Sequence, residues 1–251
     1  KEAVRNTGAT EAHVCDLLMF DSALMAHAVA DSGGKWHLWP HSTNAVIMPY
    51  HQKNRIAKSV AVTKYAKTSW QTILNAKDIE IDSSIMLDKP ALVHRFKKSE
   101  PLNVICFAAP TATVRMPACD MRAHEASIRK LYSRLNELPE NFNLLIKPKH
   151  SWETEISIKK LLPKKHRFAF TDETTAELRL PNMIFITTTF GSSALIEGMC
   201  KGVPGYVARE TPVADYTALS EERAQVGTVD FVIEQILACS EEDHYASVAD
   251  Q

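Results

Sequence analysis

The sequence predicts an α/β protein built as two doubly wound lobes. Three observations lead there. Short apolar runs alternate with stretches of helical period, no pair of runs has hairpin spacing, and the pattern stops and restarts around the charged, proline-containing segment Lys89 to Leu102 (KPALVHRFKKSEPL). Continuous apolar strands between helices imply parallel sheets covered on both faces. A chain of 251 residues can hold one large α/β domain or two small ones. The restart places the lobes at 1–98 and 99–251, with Lys89 to Leu102 as the linker between them.

The first lobe is the less regular. From Glu11 to Val29 the residues Val14, Leu17, Leu18, Leu24, Met25 and Val29 fit one or two helices, ended by Gly33-Gly34. Trp36 to Trp39 reads as a short strand stopped by Pro40, and Ser59 to Thr63 as a second. A helix follows around Ser69 to Leu74, and Ile79, Ile81 and Ile85 suggest a further extended piece. The chain opens on Lys1 and a polar stretch, so it is read as a fragment with an incomplete first lobe.

The second lobe is better marked. Val104 to Ala109 (VICFAA) is a buried strand, and Ala123 to Leu138 an amphipathic helix with Ile128, Leu131, Leu135 and Leu138 on one face. Glu125 and Arg129 form an i,i+4 pair on its polar side. Strands follow at Leu144 to Ile146, Arg167 to Phe170, Met183 to Thr187 and Gly205 to Ala208. Helices are expected over Glu153 to Leu162, Ser192 to Lys201 and Val229 to Ala238. Gly202 and Pro204 end the second of these. Met25, Met48 and Met199 are expected in the core. Lys159, Lys160, Lys164 and Lys165 are expected as a solvated helix end.

Composition narrows the function classes. Hydrophobic residues make up 45% and charged residues 24%, which suits a packed core and excludes a disordered chain. A formal net charge of -1 argues against sequence-independent binding to nucleic acid, which needs a basic excess. The cysteines at 15, 106, 119, 200 and 239 form no CxxC pair and are odd in number, as expected for small buried hydrophobes in a reducing compartment. No apolar run approaches the ~18 residues of a membrane span, and the opening residues do not read as a signal peptide. The expected location is cytoplasmic, with peripheral contact at the inner face of the membrane. No GxGxxG follows a strand and no GxxxxGK[ST] is present, which disfavours nicotinamide dehydrogenases and ordinary P-loop NTPases.

The strongest chemical feature is Met183 to Val207 (MIFITTTFGSSALIEGMCKGVPGYV), where a buried strand enters a Thr/Gly/Ser turn that opens a helix. Ligands of open parallel sheets bind at strand carboxyl ends, and free amides at a helix start suit a phosphate. Ser192 and Ser193 can donate to phosphate oxygens, although Ser192 also suits a plain helix cap. This segment resembles the donor-binding segment of two-lobed (GT-B, Rossmann-like) glycosyltransferases of bacterial capsule and lipopolysaccharide biosynthesis. Thr189, Ser192, Ser193, Glu197, Gly202 and Pro204 match, while Gly198 stands where the family more often has Ala. The likeness covers roughly residues 100–210. It implies that the paired hydroxyls meet the phosphate of a nucleotide-activated sugar.

Three further segments extend the resemblance. Leu144 to Trp152 (LLIKPKHSW) is similar to the strand end of CMP-sugar and CDP-glycerol users, which usually reads His-Pro. Lys147 and His150 are the cationic candidates there, for a phosphate leaving group or simply a solvated loop. Trp39 to Asn44 (WPHSTN) is similar to a Pro-His loop whose histidine serves as base. That makes His41 the catalytic candidate, with a structural histidine beside Trp36 and Trp39 as the alternative and Asp16, Asp21 and Asp31 as weaker bases. Arg115, in the loop after the first strand of the second lobe, could clamp a diphosphate or remain a surface arginine.

The resemblance therefore implies a metal-independent glycosyltransferase with a cleft between its lobes. It would move a sugar, such as a CMP-linked acidic sugar, to a glycan or glycolipid acceptor. No DxD triplet is present to hold a metal on the donor, and no cofactor is expected because the nucleotide-sugar is a substrate. Three alternatives stay open: CDP-polyol phosphate transfer, sugar-nucleotide epimerisation, and a catalytically silent sugar- or nucleotide-binding lobe joined to other domains of a larger assembly protein.

Overall fold

A computed structural model of the chain describes residues 6–14, 20–39, 56–61, 67, 71, 78–82, 95–108, 121–148, 152–175, 177–188, 193–199, 201–208, 210 and 225–249. The chain divides into two compact units, Lys1–Lys89 and Pro90–Gln251. Each is α/β with a parallel sheet, as the strand–helix alternation predicts.

The first unit holds strands β1 (Glu11–Val14), β2 (Lys35–Leu38), β3 (Ile56–Ala61) and β4 (Ile79–Ile81), hydrogen-bonded in that order and all parallel. Helix α1 (Phe20–Asp31) connects β1 to β2. The start of the expected helix over Glu11 to Val29 is thus a strand. Its residues alternate, with Ala12 packing toward Ala28 and Val29 of α1 while Glu11 and His13 face the other way. Pairing of four residues with β2 outweighs the helical spacing of Val14, Leu17 and Leu18. Met25, expected in the core, is half exposed, because α1 turns Ala26, Ala28 and Val29 inward instead. Most of the expected helix at Ser69 to Leu74, together with Met48, lies outside the described residues.

The second unit is a six-stranded sheet. Its strands are β5 (Leu102–Ala108), β6 (Phe142–Pro148), β7 (Ala169–Phe170), β8 (Met183–Thr187), β9 (Gly205–Ala208) and β10 (Gln225–Gly227). Their order is β10-β9-β8-β5-β6-β7, and every pairing is parallel. The helices are α2 (Met121–Asn136), α3 (Trp152–Lys159), α4 (Ser193–Met199), α5 (Val229–Ala238) and α6 (Glu242–Ala249).

Two cores lie on the two faces. On one face Val104, Cys106, Leu144, Ile146, Ile184 and Ile186 pack against α2, α5 and α6. On the other Ile105, Phe107, Met183, Phe185 and Val207 pack against Leu195 of α4. Each fully buried aliphatic side chain of this kind contributes roughly 1.5–3 kcal/mol. The expected face of α2 is fully buried through Ile128, Leu131 and Leu135, and Glu125 meets Arg129 at 2.8 Å. Helix α6 and strand β10 carry too few apolar residues to stand out in the sequence. Tyr245 nonetheless anchors α6, donating its hydroxyl to the Met183 carbonyl over 2.8 Å.

The carboxyl end of the expected linker is built into the second unit. Phe96 packs on Tyr245, with ring centroids 5.3 Å apart. Asn182 bonds to the backbone of Lys97 and Glu100. Among the described residues no helix is long and apolar enough to cross a membrane. Cys106 and Cys239 are buried free thiols, and Cys15, Cys119 and Cys200 lie outside the described residues.

Candidate functional site

The carboxyl end of the second sheet brings a cation and a hydroxyl onto one face. Register aligns Val207, Thr187, Phe107 and Lys147 in a single row across β9, β8, β5 and β6. Residues aligned across parallel strands share a face, and this one carries α4. Thr187 is fully buried, Thr188 nearly so, and Lys147 is only 9% exposed. Lys147 and Thr187 flank Phe107, so their strands stand about 10 Å apart, two strand spacings. The Phe107 ring is fixed edge-on against Phe185, with centroids 4.9 Å apart.

A lysine reaches such a position by threading an aliphatic stem along apolar neighbours while its ammonium stays near the rim. Its acidic neighbour is Glu177. That carboxyl is held below its ordinary value first by the Thr174 amide, which donates to it over 2.8 Å, then by the Thr174 hydroxyl, with the Lys147 charge adding to both. Among the described residues none hydrogen-bonds or ion-pairs directly with the Lys147 ammonium.

Helix α4 follows β8 and is stopped as the sequence predicts. Gly202 takes a left-handed φ of 74°. The Val203 amide donates to the Gly198 carbonyl at 3.1 Å and the Gly202 amide to that of Met199 at 3.0 Å, a Schellman closure. Glu197, expected at the donor, is engaged by Lys201 at 3.1 Å through one carboxylate oxygen, Oε1. The Gly198 departure from the family pattern has a packing cause. A Cβ there would collide with Cδ2 and Cε2 of Phe185.

Of the expected site residues, then, Lys147 lies at the strand end and Glu197 on the helix of the same face. Ser193 opens α4, its side chain outside the described residues. His41, Arg115, His150, Thr189 and Ser192 lie outside the described residues, as does Asp16. Asp21 and Asp31 fall within α1.

A groove of about 570 Å³ lies elsewhere in this unit, lined by Asn103, Asn143, Leu145, Arg167 and Phe170 among others, and does not include Lys147. Its charged lining is Glu140, Glu173 and Arg167, and Arg167 is engaged with the Leu138 and Pro139 carbonyls.

In the first unit the structure gathers Glu11, His13 and His37, none of them a site candidate from the sequence, beside Trp39. The available signal was the Glu-x-His alternation before a Trp-His-Leu-Trp strand. Glu11 and His13 fall within the helical reading of Glu11 to Val29, and His37 within the expected Trp36 to Trp39 strand.

No protein-family model and no curated protein matches this sequence. Solved structures do match. MnaA of S. aureus, solved with UDP, has a TM-score of 0.61 at 11% identity, covering 99% of this chain and 72% of its own. The UDP-GlcNAc 2-epimerase of Neisseria meningitidis, bound to UDP-GlcNAc, has 0.60 at 12%, covering 99% and 73%. The lipopolysaccharide outer core galactosyltransferase WaaB, in apo form, has 0.55 at 12%, covering 99% and 72%. At these identities the likeness is one of fold: the chain has the Rossmann-like GT-B fold found in both glycosyltransferases and UDP-GlcNAc 2-epimerases.

Proposed function

We propose that this chain is an enzyme acting on a nucleotide-activated sugar, and that it transfers the sugar to a glycan or glycolipid acceptor of a bacterial surface polysaccharide. The observation that carries this reading is Lys147, a nearly buried cation at a strand carboxyl end, in register with Phe107 and Thr187. In a site of low dielectric a fixed ammonium stabilises charge developing on a departing phosphate far better than in water. Ser192, Ser193 and Thr189 are proposed to add hydroxyl donors, Arg115 and His150 further positive charge, and Glu197 a carboxylate on the same helix. His41 is proposed to take the acceptor proton. The donor base is proposed as cytidine, on the resemblance of the Lys147 to His150 strand end to CMP- and CDP-using families.

Epimerisation of a nucleotide-sugar is the second reading. It is favoured by the TM-score of 0.60 to the Neisseria epimerase, against 0.55 to WaaB.

The test is thermal unfolding of the chain with CMP, CDP, UDP, GDP and ADP. A nucleotide at 100 times its Kd adds about 2.7 kcal/mol to the native state. Stabilisation by CMP or CDP that is lost in Lys147→Met supports the proposal. Stabilisation by UDP alone overturns the cytidine assignment, and no stabilisation by any nucleotide overturns the reading. Products then separate the chemistries: sugar transfer leaves a glycosidic sugar on the acceptor, polyol-phosphate transfer leaves a phosphodiester-linked polyol on it, and epimerisation returns an intact nucleotide-sugar of altered configuration.

A further inference from the structure

The face of the first sheet opposite α1 carries a cluster to which the proposed sugar transfer assigns no role. Alternation along β1 puts Glu11 and His13 on one face, and parallel register puts His37 of β2 directly beside His13. The two imidazoles stack with centroids 4.7 Å apart and 12° between planes. Oε2 of Glu11 lies 3.7 Å from Nε2 of His13 and 3.9 Å from Nε2 of His37. The three ligand-capable atoms all lie within 4.8 Å of one another. Nε2 of His37 is shielded from solvent and has no hydrogen-bond partner among the described residues.

We infer that Glu11, His13 and His37 form a site for one divalent ion of the zinc class, with a fourth position left for water or a ligand oxygen. Two imidazole nitrogens and a carboxylate are the donor set zinc takes in three-ligand sites, whereas magnesium requires oxygen. Around tetrahedral zinc, with bonds near 2.0–2.2 Å, neighbouring ligand atoms stand about 3.4 Å apart. Glu11 therefore needs to close by only a few tenths of an ångström on each ring. The imidazoles need more, because stacked rings aim their lone pairs side by side. One ring must tilt toward the other, and His13, at 55% side-chain exposure, has the room to do so.

What opposes that tilt is Trp39. Its indole Nε1 donates to Nδ1 of His13 over 2.9 Å. An indole nitrogen only donates, so Nδ1 accepts and the proton of the neutral ring sits on Nε2, the nitrogen the ion needs. Capture of the ion moves that proton to Nδ1 and releases the indole. Ion binding and the Trp39 contact therefore compete for the same imidazole.

The experiment is calorimetric titration of the full chain with Zn²⁺, and with Mg²⁺ for comparison, with circular dichroism to confirm that each variant is folded. One Zn²⁺ site is expected and no Mg²⁺ site. His13→Ala and His37→Ala should each weaken Zn²⁺ at least about 10-fold, the low end for loss of a ligand or its support. Trp39→Phe should tighten it, because the competing donor is gone. Absence of Zn²⁺ binding, unchanged affinity in folded His13→Ala and His37→Ala, or weaker binding in Trp39→Phe would each overturn the inference. The Trp39→Phe arm requires no ligand to be removed, so it decides the matter even where a histidine variant fails to fold.

Discussion

Asn182 grips Lys97 by both of its backbone groups. Its Oδ1 accepts from the Lys97 amide at 2.7 Å, and its Nδ2 donates to the Lys97 carbonyl at 2.8 Å and the Glu100 carbonyl at 3.0 Å. Its own backbone sits at φ 43°, where asparagine is tolerated and alanine is strained. Asn182→Ala should therefore cost about 3 kcal/mol, from lost buried hydrogen bonds plus the left-handed backbone. Asn182→Gly loses the same bonds without the strain and should recover roughly 1 kcal/mol of that. Urea midpoints of the two variants check both the size and the order.

Gly198 and Phe185 are packed too closely for a side chain at position 198. Gly198→Ala should destabilise the chain by about 1–3 kcal/mol, the usual cost of overpacking, although alanine is the better helix former. Phe185→Leu in the same chain should relieve much of that cost. A double-mutant cycle by chemical unfolding should give a coupling of about 0.5–3 kcal/mol, and additive effects would reject the packing explanation.

Two thiols make stability sensitive to alkali. Burial pushes the Cys106 thiol from 9.0 up to about 12, and the Cys239 thiol up to about 11. Between those values and 9.0 the unfolded chain sheds a proton that the native chain keeps, so stability is full below about pH 9 and falls as pH rises toward 11 and 12. Tyr132, Tyr206 and Tyr245 are also pushed upward, chiefly by burial, and act in the same direction at higher pH. Urea midpoints should hold steady from pH 7 to 8 and decline by pH 10. Cys106→Ala should lower the midpoint overall yet shallow that decline.

Chemistry and binding should separate between two sets of residues. In the proposed role of general base His41 would be needed only as the bond forms, so His41→Ala should lower kcat about 10²–10⁴-fold with little change in donor affinity. The hydroxyls of Ser192 and Ser193 would hold the donor before and during bond breaking, so their joint replacement by alanine should raise KM as well as lower kcat. A His41→Ala chain of near-normal kcat would move the search for a base to Asp16, Asp21 or Asp31.

The second unit was legible because its strands are apolar throughout. MIFIT and VICFA admit few other readings when helices of clear period flank them. Elements that depend on partners were not. Strand β1 reads EAHV, half polar, and becomes a strand only beside β2. Helix α6 is held largely by Tyr245 and Val248, too thin a stripe to stand out. Lys147 was legible as a cation at a strand end, but its burial follows from the row it joins across β8, β5 and β6, which no local pattern encodes. Glu11, His13 and His37 escaped for the same reason: two strands from distant stretches of chain must align before the three are neighbours.

The strand order β10-β9-β8-β5-β6-β7 also bears on how the protein is made. The first strand of the second unit to leave a ribosome is β5, and it occupies the middle of the finished sheet. Its two neighbours are β6, made next, and β8, made later still. At roughly 5–20 residues per second, an apolar strand waits several seconds for its first partner and longer for its second. That interval is when the nascent chain is most exposed to misassociation. Conditions that slow translation between β5 and β8 should therefore lower the soluble yield more than an equal delay after β9.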